Sequence, residues 1–298
     1  MILVTGATGT VGAPLVRALR DRGATVRALV RNGGGAPAAW DDGVTAVVAD
    51  LDDPGSLTAA VEGVDAVYLL TPVGPDAARQ ERDVIDAAAR AGRPKVVLQA
   101  AIGLGHLSSP VRFFDAHAEG FAHLRASGLP WTAVAPNGFF QNFLGMAPAF
   151  RNGTLPLPVG NAAVSYVDAR DVAEVAARVL TTDEHDGAVH EITGPEALRY
   201  DEVARRIGDV LGRDVTYHAL TPEQIRAALL DTGMAPWQAD GIVELYGMYE
   251  AGEASAVTGT VTELLGRAPR SLDTFLADHS TALRASPDAA PDAAPPPR

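Results

Sequence analysis

A short apolar run, Ile2-Leu3-Val4, passes into three glycines spaced G-x-x-G-x-x-G at Gly6, Gly9 and Gly12. Val11, Leu15, Val16 and Leu19 then recur at helical spacing, so the stretch reads as strand, tight turn and helix. Gly6 can take backbone angles closed to a side chain. Gly9 lets a pyrophosphate reach the main chain, and Gly12 lets the helix pack on the strand. The amides at the helix start and the positive end of its dipole favour phosphate. Thr8, Thr10 and Val11 belong to the same turn and are expected to share in holding a dinucleotide. The alternative is a purely structural turn.

The pattern after the turn fixes the fold class. Strands are expected at 24–30, 44–49, 66–70 and 95–99, with helices between them, the longest over 76–91. Strands alternating with helices mean parallel βαβ units, and right-handed crossovers then give a doubly wound α/β sheet. Later, 114–126 reads as a helix and 131–135 as a sixth strand. The Pro- and Gly-rich stretch 145–163 reads as a loop excursion, 168–180 as a helix and 189–193 as a short strand. Helices at 200–211, 222–230 and 236–251 predict a smaller, mostly helical lobe. The 298 residues thus divide into a dinucleotide-binding domain over 1–150 and a substrate-side lobe over 151–284, with 165–194 returning to the first. The tail 285–298 repeats Pro-Asp-Ala-Ala, cannot bury a core and is expected to be disordered.

Composition excludes several functions. No apolar run reaches the roughly 18 residues of a membrane span. Cysteine is absent and no charged leader precedes the first strand, so a cytoplasmic location is expected. A net charge of −13 argues against a nucleic-acid surface and against anionic lipid. No G-x-S-x-G occurs and no histidine pair has metal-ligand spacing, so neither hydrolysis nor a metal site is expected. Lys95 is the only lysine, so a mechanism that needs one must use it.

The nucleotide is read from the strand ends. Arg31 closes the second strand, nineteen residues past Gly12, with no acid beside it. An enzyme choosing NAD tends to place Asp or Glu there. A guanidinium suits a 2′-phosphate because its planar fork donates two charge-assisted hydrogen bonds. NADP(H) is therefore the expected cofactor; the alternative for Arg31 is a solvated loop residue. Asp50 can accept from the adenine amino group while Leu51 packs on the ring, or the two can form a helix-capping loop. Leu70-Thr71-Pro72 closes the fourth strand, where the sugar and pyrophosphate would pass.

At this point the chain resembles a known group. V-T-G-A-T-G-T-V-G, V-R-A-L-V-R-N, A-D-L-D-D-P-G-S-L and G-V-D-A-V-Y-L-L-T-P are similar to the NmrA-like branch of the atypical short-chain dehydrogenases. So are H-A-E-G, S-G-L-P-W-T, P-N-G-F-F-Q-N, V-D-A-R-D-V-A and I-T-G-P-E-A-L, and the resemblance runs from Met1 to about Phe275. It implies a Rossmann core, a smaller C-terminal lobe and a cleft between them. Members include NADPH-dependent quinone and carbonyl reductases, and regulators that bind NADP without turning it over.

The usual dehydrogenase of this class pairs a tyrosine with a lysine four residues on, plus a serine. Here Ala91 stands four residues before Lys95, and Ala100 takes the serine slot. Phe121 stands where relatives often carry Glu, and Ala135 where they often carry Arg, which is read as a drier pocket. His117 lies where the helix after the fifth strand should face the nicotinamide, and is the candidate proton donor; the alternative is a core or rim histidine. His106, on a glycine-flanked loop, is the lesser candidate. The nicotinamide is expected near Ala100, Ala101 and Pro136. Asn137 follows the sixth strand and can hold the carboxamide or a substrate oxygen, or simply form a turn. Phe113, Phe114, Phe139, Phe140 and Phe143 divide between a wall for a flat substrate and core packing, with Phe139 and Phe140 assigned to the substrate. The expected function is NADPH-dependent reduction of a small hydrophobic quinone or conjugated carbonyl by a monomer or homodimer. The alternatives are an NADP(H)-sensing regulator and a pathway isomerase or cyclase on the same fold.

Overall fold

The computed structural model describes residues 1–31, 40, 42–104 and 110–284; His106 and the tail 285–298 lie outside them. In chain order the first elements are β1 (Ile2–Val4), α1 (Gly12–Asp21), β2 (Val26–Val30), β3 (Val44–Val48), α2 (Pro54–Val61), β4 (Ala66–Leu69), α3 (Ala77–Arg90), β5 (Lys95–Gln99), α4 (Arg112–Ala126) and β6 (Trp131–Pro136). A 3₁₀ segment (Phe140–Met146) leads into α5 (Ala147–Arg151), β7 (Thr154–Leu157), β8 (Ala163–Val164), α6 (Ala169–Leu180), β9 (Val189–Ile192) and β10 (Leu198–Arg199). The chain closes with α7 (Tyr200–Leu211), β11 (Thr216–Ala219), α8 (Pro222–Asp231), α9 (Pro236–Glu250), α10 (Thr260–Leu265), α11 (Leu272–Asp278) and α12 (Ser280–Arg284).

Seven parallel strands form the central sheet in the order β3-β2-β1-β4-β5-β6-β9. β1 is apolar throughout because both its faces are covered. Ile2 and Val4 pack with Leu15, Val16 and Leu19 of α1, Val172 and Val175 of α6 and Val261 of α10. Leu3 points the other way, to Leu57 of α2, Val84 and Ile85 of α3 and Leu124 of α4, as the period of two in a strand requires. Leu15 and Leu19 are fully buried, and each such side chain contributes about 1.5–3 kcal/mol. The strand order reverses at β1 and β4, so a crevice opens beyond their carboxyl ends.

The remaining elements pack around a second core of Phe140, Phe143, Phe150, Tyr166, Tyr200 and Phe275. Here the sequence reading needs correction. The stretch 145–163 is not a loop: it holds the end of the 3₁₀ turn, α5 and β7, and β7 pairs in parallel with β11. The helices α10, α11 and α12 were not foreseen. At six, seven and five residues they are too short for a periodic apolar pattern to register.

Asp168 joins the two cores. It caps α6 by accepting from the Arg170 N–H at 2.9 Å, and its carboxylate also receives the Gln141 amide at 3.0 Å and the Arg170 guanidinium. Burial alone would raise its pKa, but Arg170 and Gln141 hold it below the ordinary 3.8. A lowered carboxylate stabilises the fold above 3.8 and loses that contribution as pH falls through its folded value. Asp168→Asn is expected to cost about 1–2 kcal/mol at neutral pH and to flatten the acid limb of a melting-temperature profile. Parallel acid limbs in the two proteins would reject the assignment.

Candidate functional site

The glycine turn has the geometry a phosphate cradle needs. Gly6 sits at φ +63°, a region costly for a side chain. The Gly9 N–H donates to the Gly6 carbonyl at 2.9 Å. A Cβ on Gly12 would overlap that carbonyl oxygen and lie 2.7 Å from its carbon, so α1 can begin this close to β1 only on a glycine. No carboxylate occupies the first turn of α1, which leaves its positive end for an anion. Thr5 pins the neighbouring strand end: its Oγ1 donates to the Leu70 carbonyl and accepts the Leu70 N–H, both at 2.7 Å.

Beside this turn lies a cavity of about 490 Å³, lined by Gly6, Thr8, Gly9, Arg31, Asp50, Leu51, Leu70, Thr71 and Pro72. Thr10 lies on the other side of the turn, in a separate hollow with Arg17 and Gln141. Val11 is buried beneath it. The fit to a dinucleotide therefore rests on the cradle itself, which a methyl group would fill. Arg31 is exposed at the end of β2, where it could meet a 2′-phosphate. Asp50 is partly committed to its own loop: Oδ1 accepts the Asp52 N–H at 3.0 Å, while its N–H donates to Ser56 Oγ at 3.0 Å.

Four lining residues escaped the sequence reading: Leu29, Val30, Asp52 and Gln80. The Gln80 amide donates to Asp52 Oδ1 at 2.8 Å, and Arg79 does so at 2.6 Å. Gln80 first, then Arg79, holds the Asp52 carboxyl below its ordinary range. A glutamine on the buried stripe of α3 was the available signal.

The ends of β5 and β6 form the stretch expected to face the nicotinamide. The Ala100 N–H donates to the Val134 carbonyl and the Ile102 N–H to the Pro136 carbonyl, both at 2.9 Å. Ala100 and Pro136 are buried, and Ala101 is half-buried. Three expectations fail here. Asn137 is not free to hold a ligand: its Nδ2 donates to Ser165 Oγ and the Ala254 carbonyl, both at 2.9 Å, while Oδ1 accepts the Gly138 N–H at 2.8 Å. Phe140 is no cleft wall: it is 1% exposed and stacks on Phe275 at 5.6 Å. Phe121 and Ala135 do not dry the cofactor cavity either. Phe121 packs edge-on against Trp131 at 5.1 Å, and Ala135 is wholly buried in β6. Phe143 is also core, and Phe113 leans on Trp237 at 5.5 Å. Phe139 stays half-buried at the edge of the first core. Asn137→Ala would leave Ser165 Oγ without its donor and the Gly138 N–H without its side-chain acceptor, and is expected to cost about 1–3 kcal/mol in denaturant unfolding. An unchanged midpoint would refute it.

His117 places Nδ1 2.7 Å from Glu81 Oε1, and Thr71 Oγ1 donates to the same oxygen at 3.3 Å. Lys95 stands at the opposite end of the sheet. Its ammonium binds the Thr182 carbonyl at 2.7 Å and Asp186 at 2.6 Å. A larger cavity of about 730 Å³ lies between α4 and β9, away from the glycine turn. Its polar groups are engaged: Glu191 accepts the Gly103 N–H at 3.0 Å, and Arg125 lies over Phe121. No described helix is long and apolar enough to cross a membrane.

Known proteins share this plan. The NmrA-like family model matches residues 1–283. An NAD(P)H azoreductase of Xenophilus azovorans is 37% identical over 287 residues, spanning 96% of this chain and 100% of that protein. Quinone oxidoreductase 2 of Escherichia coli is 32% identical over 250 residues, spanning 82% of this chain and 86% of that one. A crystal structure of an Escherichia coli NADPH-dependent quinone oxidoreductase with NADPH superposes with a TM-score of 0.86 at 28% identity, covering 93% of this chain and 99% of that one.

Proposed function

The chain belongs to the NmrA-like family, and on that premise we propose that it reduces a hydrophobic quinone or conjugated carbonyl with NADPH and without a Tyr-Lys dyad. It is an NAD(P)-dependent oxidoreductase of the atypical short-chain dehydrogenase type, and its cofactor is NADP(H). The observation that carries the finer reading is the position of Lys95. Bound to Asp186 and Thr182 at the far end of the sheet, it can activate no tyrosine in the cleft. Burial also raises the pKa of the lobe phenols above the ordinary 10, Tyr246 to about 12 and Tyr166 and Tyr200 likewise upward, so they are poor acids. An acceptor that delocalises its own negative charge needs least help from a general acid. Relatives named for quinone and azo reduction support the same choice.

In this reading Gly6, Thr8, Gly9, Thr10, Val11 and Gly12 hold the pyrophosphate and Arg31 the 2′-phosphate. Asp50 and Leu51 receive the adenine, and Leu70, Thr71 and Pro72 the sugars. Ala100, Ala101 and Pro136 lie under the nicotinamide, with Phe139 toward the substrate. Residues 1–150 serve as the nucleotide domain, and 151–284 as the lobe that closes over the acceptor, with 165–194 returning to the sheet. NADPH, when bound, supplies a hydride. His117 supplies the one proton that each reduced acceptor requires. Steady-state NADPH oxidation against quinones, enones, isolated ketones and azo dyes tests this. Faster turnover of the delocalised acceptors is expected. Tight NADPH binding with no oxidation above background would overturn it and favour a sensing role.

A further inference from the structure

We propose that Glu81 is a positioning residue that fixes the tautomer of His117, and that Gly120 leaves the space its carboxylate occupies. The inference rests on reading His117 as the proton donor.

Glu81 lies on α3, where a charged residue would ordinarily face water. Its side chain is instead fully buried. One oxygen, Oε1, meets His117 Nδ1 at 2.7 Å and the Thr71 hydroxyl at 3.3 Å. The other, Oε2, is buried without a partner among the described residues. A buried carboxylate with an open lone pair is costly, so the arrangement calls for a role. Gly120 on α4 is shaped to it: a Cβ there would overlap Oε2 and lie 2.8 Å from Cδ.

A carboxylate only accepts hydrogen bonds, so the proton between the two groups belongs on His117 Nδ1. That leaves Nε2 as the nitrogen that exchanges a proton, on a ring whose side chain is 15% exposed. As hydride adds to the conjugated acceptor, its π electrons move onto oxygen. That oxygen takes the Nε2 proton, and the ring is left neutral with Nδ1–H still on Glu81. Water then returns one proton to Nε2. One hydride and one proton enter per reduced acceptor. A carboxylate that orients a histidine in this way sets which nitrogen is available. Thr71 lines the nucleotide cavity, so the carboxylate touches both the donor and the cofactor wall. Two further pairs cross from α3 to α4, Arg82 with Glu119 at 3.0 Å and Asp86 with His123 at 2.7 Å.

The test compares wild type, Glu81→Gln and His117→Gln with NADPH and a benzoquinone. It adds ¹⁵N NMR of the imidazole rings, with His117 assigned by its loss in His117→Gln. Wild-type His117 is expected as the Nδ1–H tautomer when neutral, against the Nε2–H form favoured in water. Glu81→Gln is isosteric and is expected to lower kcat about tenfold or more, with KM and NADPH affinity unchanged. An Nε2–H tautomer in the wild type overturns the proposal, and that reading does not depend on Glu81→Gln folding. Unchanged kcat in Glu81→Gln beside a reduced kcat in His117→Gln removes the proposal alone. Unchanged kcat in His117→Gln removes the donor reading and the proposal with it.

Discussion

Gly12→Ala is expected to weaken NADPH binding by about a hundredfold or more, the equivalent of about 3 kcal/mol. The new methyl would meet the Gly6 carbonyl, which is backbone and cannot rotate away. Relief requires α1 to move off β1, and with it the amides that face the phosphates. Overpacking of this kind costs typically 1–3 kcal/mol in stability as well, so binding and melting temperature should fall together. Gly23→Ala is the control. Gly23, unlike Gly12, has a positive φ, +76°, and nothing lies within 4 Å of a Cβ there. It should lose about 1–2 kcal/mol of stability with an unchanged Kd for NADPH. If Gly12→Ala binds NADPH like the wild type, the turn is not the phosphate site.

Arg31→Glu is the second large effect. Arg31 follows β2 at the cavity rim, and no acid flanks it in the sequence. Hydrogen bonds to a charged group contribute about 1.5–3 kcal/mol, and a planar fork can make two to one phosphate. Charge reversal should therefore raise the Kd for NADPH on the order of a hundredfold. The Kd for NADH, which lacks the phosphate, should change several-fold at most. Arg31→Ala should fall between them. Equal losses for both nucleotides would show that Arg31 does not read the 2′-phosphate.

What could be read from the sequence was local. Gly6, Gly9 and Gly12 announce a strand-to-helix turn because the chain conformation there depends on neighbours only a few residues away. The parallel sheet followed from short apolar runs alternating with stretches of helical period, and Lys95 could be singled out by counting. The errors arose where distant segments decide the environment. Asn137 looked like a ligand-holding amide at a strand end, but its donors are claimed by Ser165 and Ala254, the latter 117 positions along the chain. Phe140 looked like a cleft wall until Phe275 covered it. The burial of Glu81 has no signal in its own segment, because it depends on a missing side chain at Gly120 on another helix. The short helices after residue 252 carry no periodic signal, and in the fold they pack on α5, α6 and α7.

The central claim is that the cavity beside the first crossover receives an adenosine carrying a 2′-phosphate. Calorimetric titration of the wild-type protein with 2′,5′-ADP and with 5′-AMP tests it most directly, since neither fragment carries a nicotinamide. The account predicts that 2′,5′-ADP binds at one site, is displaced by NADPH, and binds at least about tenfold more tightly than 5′-AMP. Equal affinity for the two fragments, or 2′,5′-ADP that stays bound when NADPH saturates the protein, would contradict it.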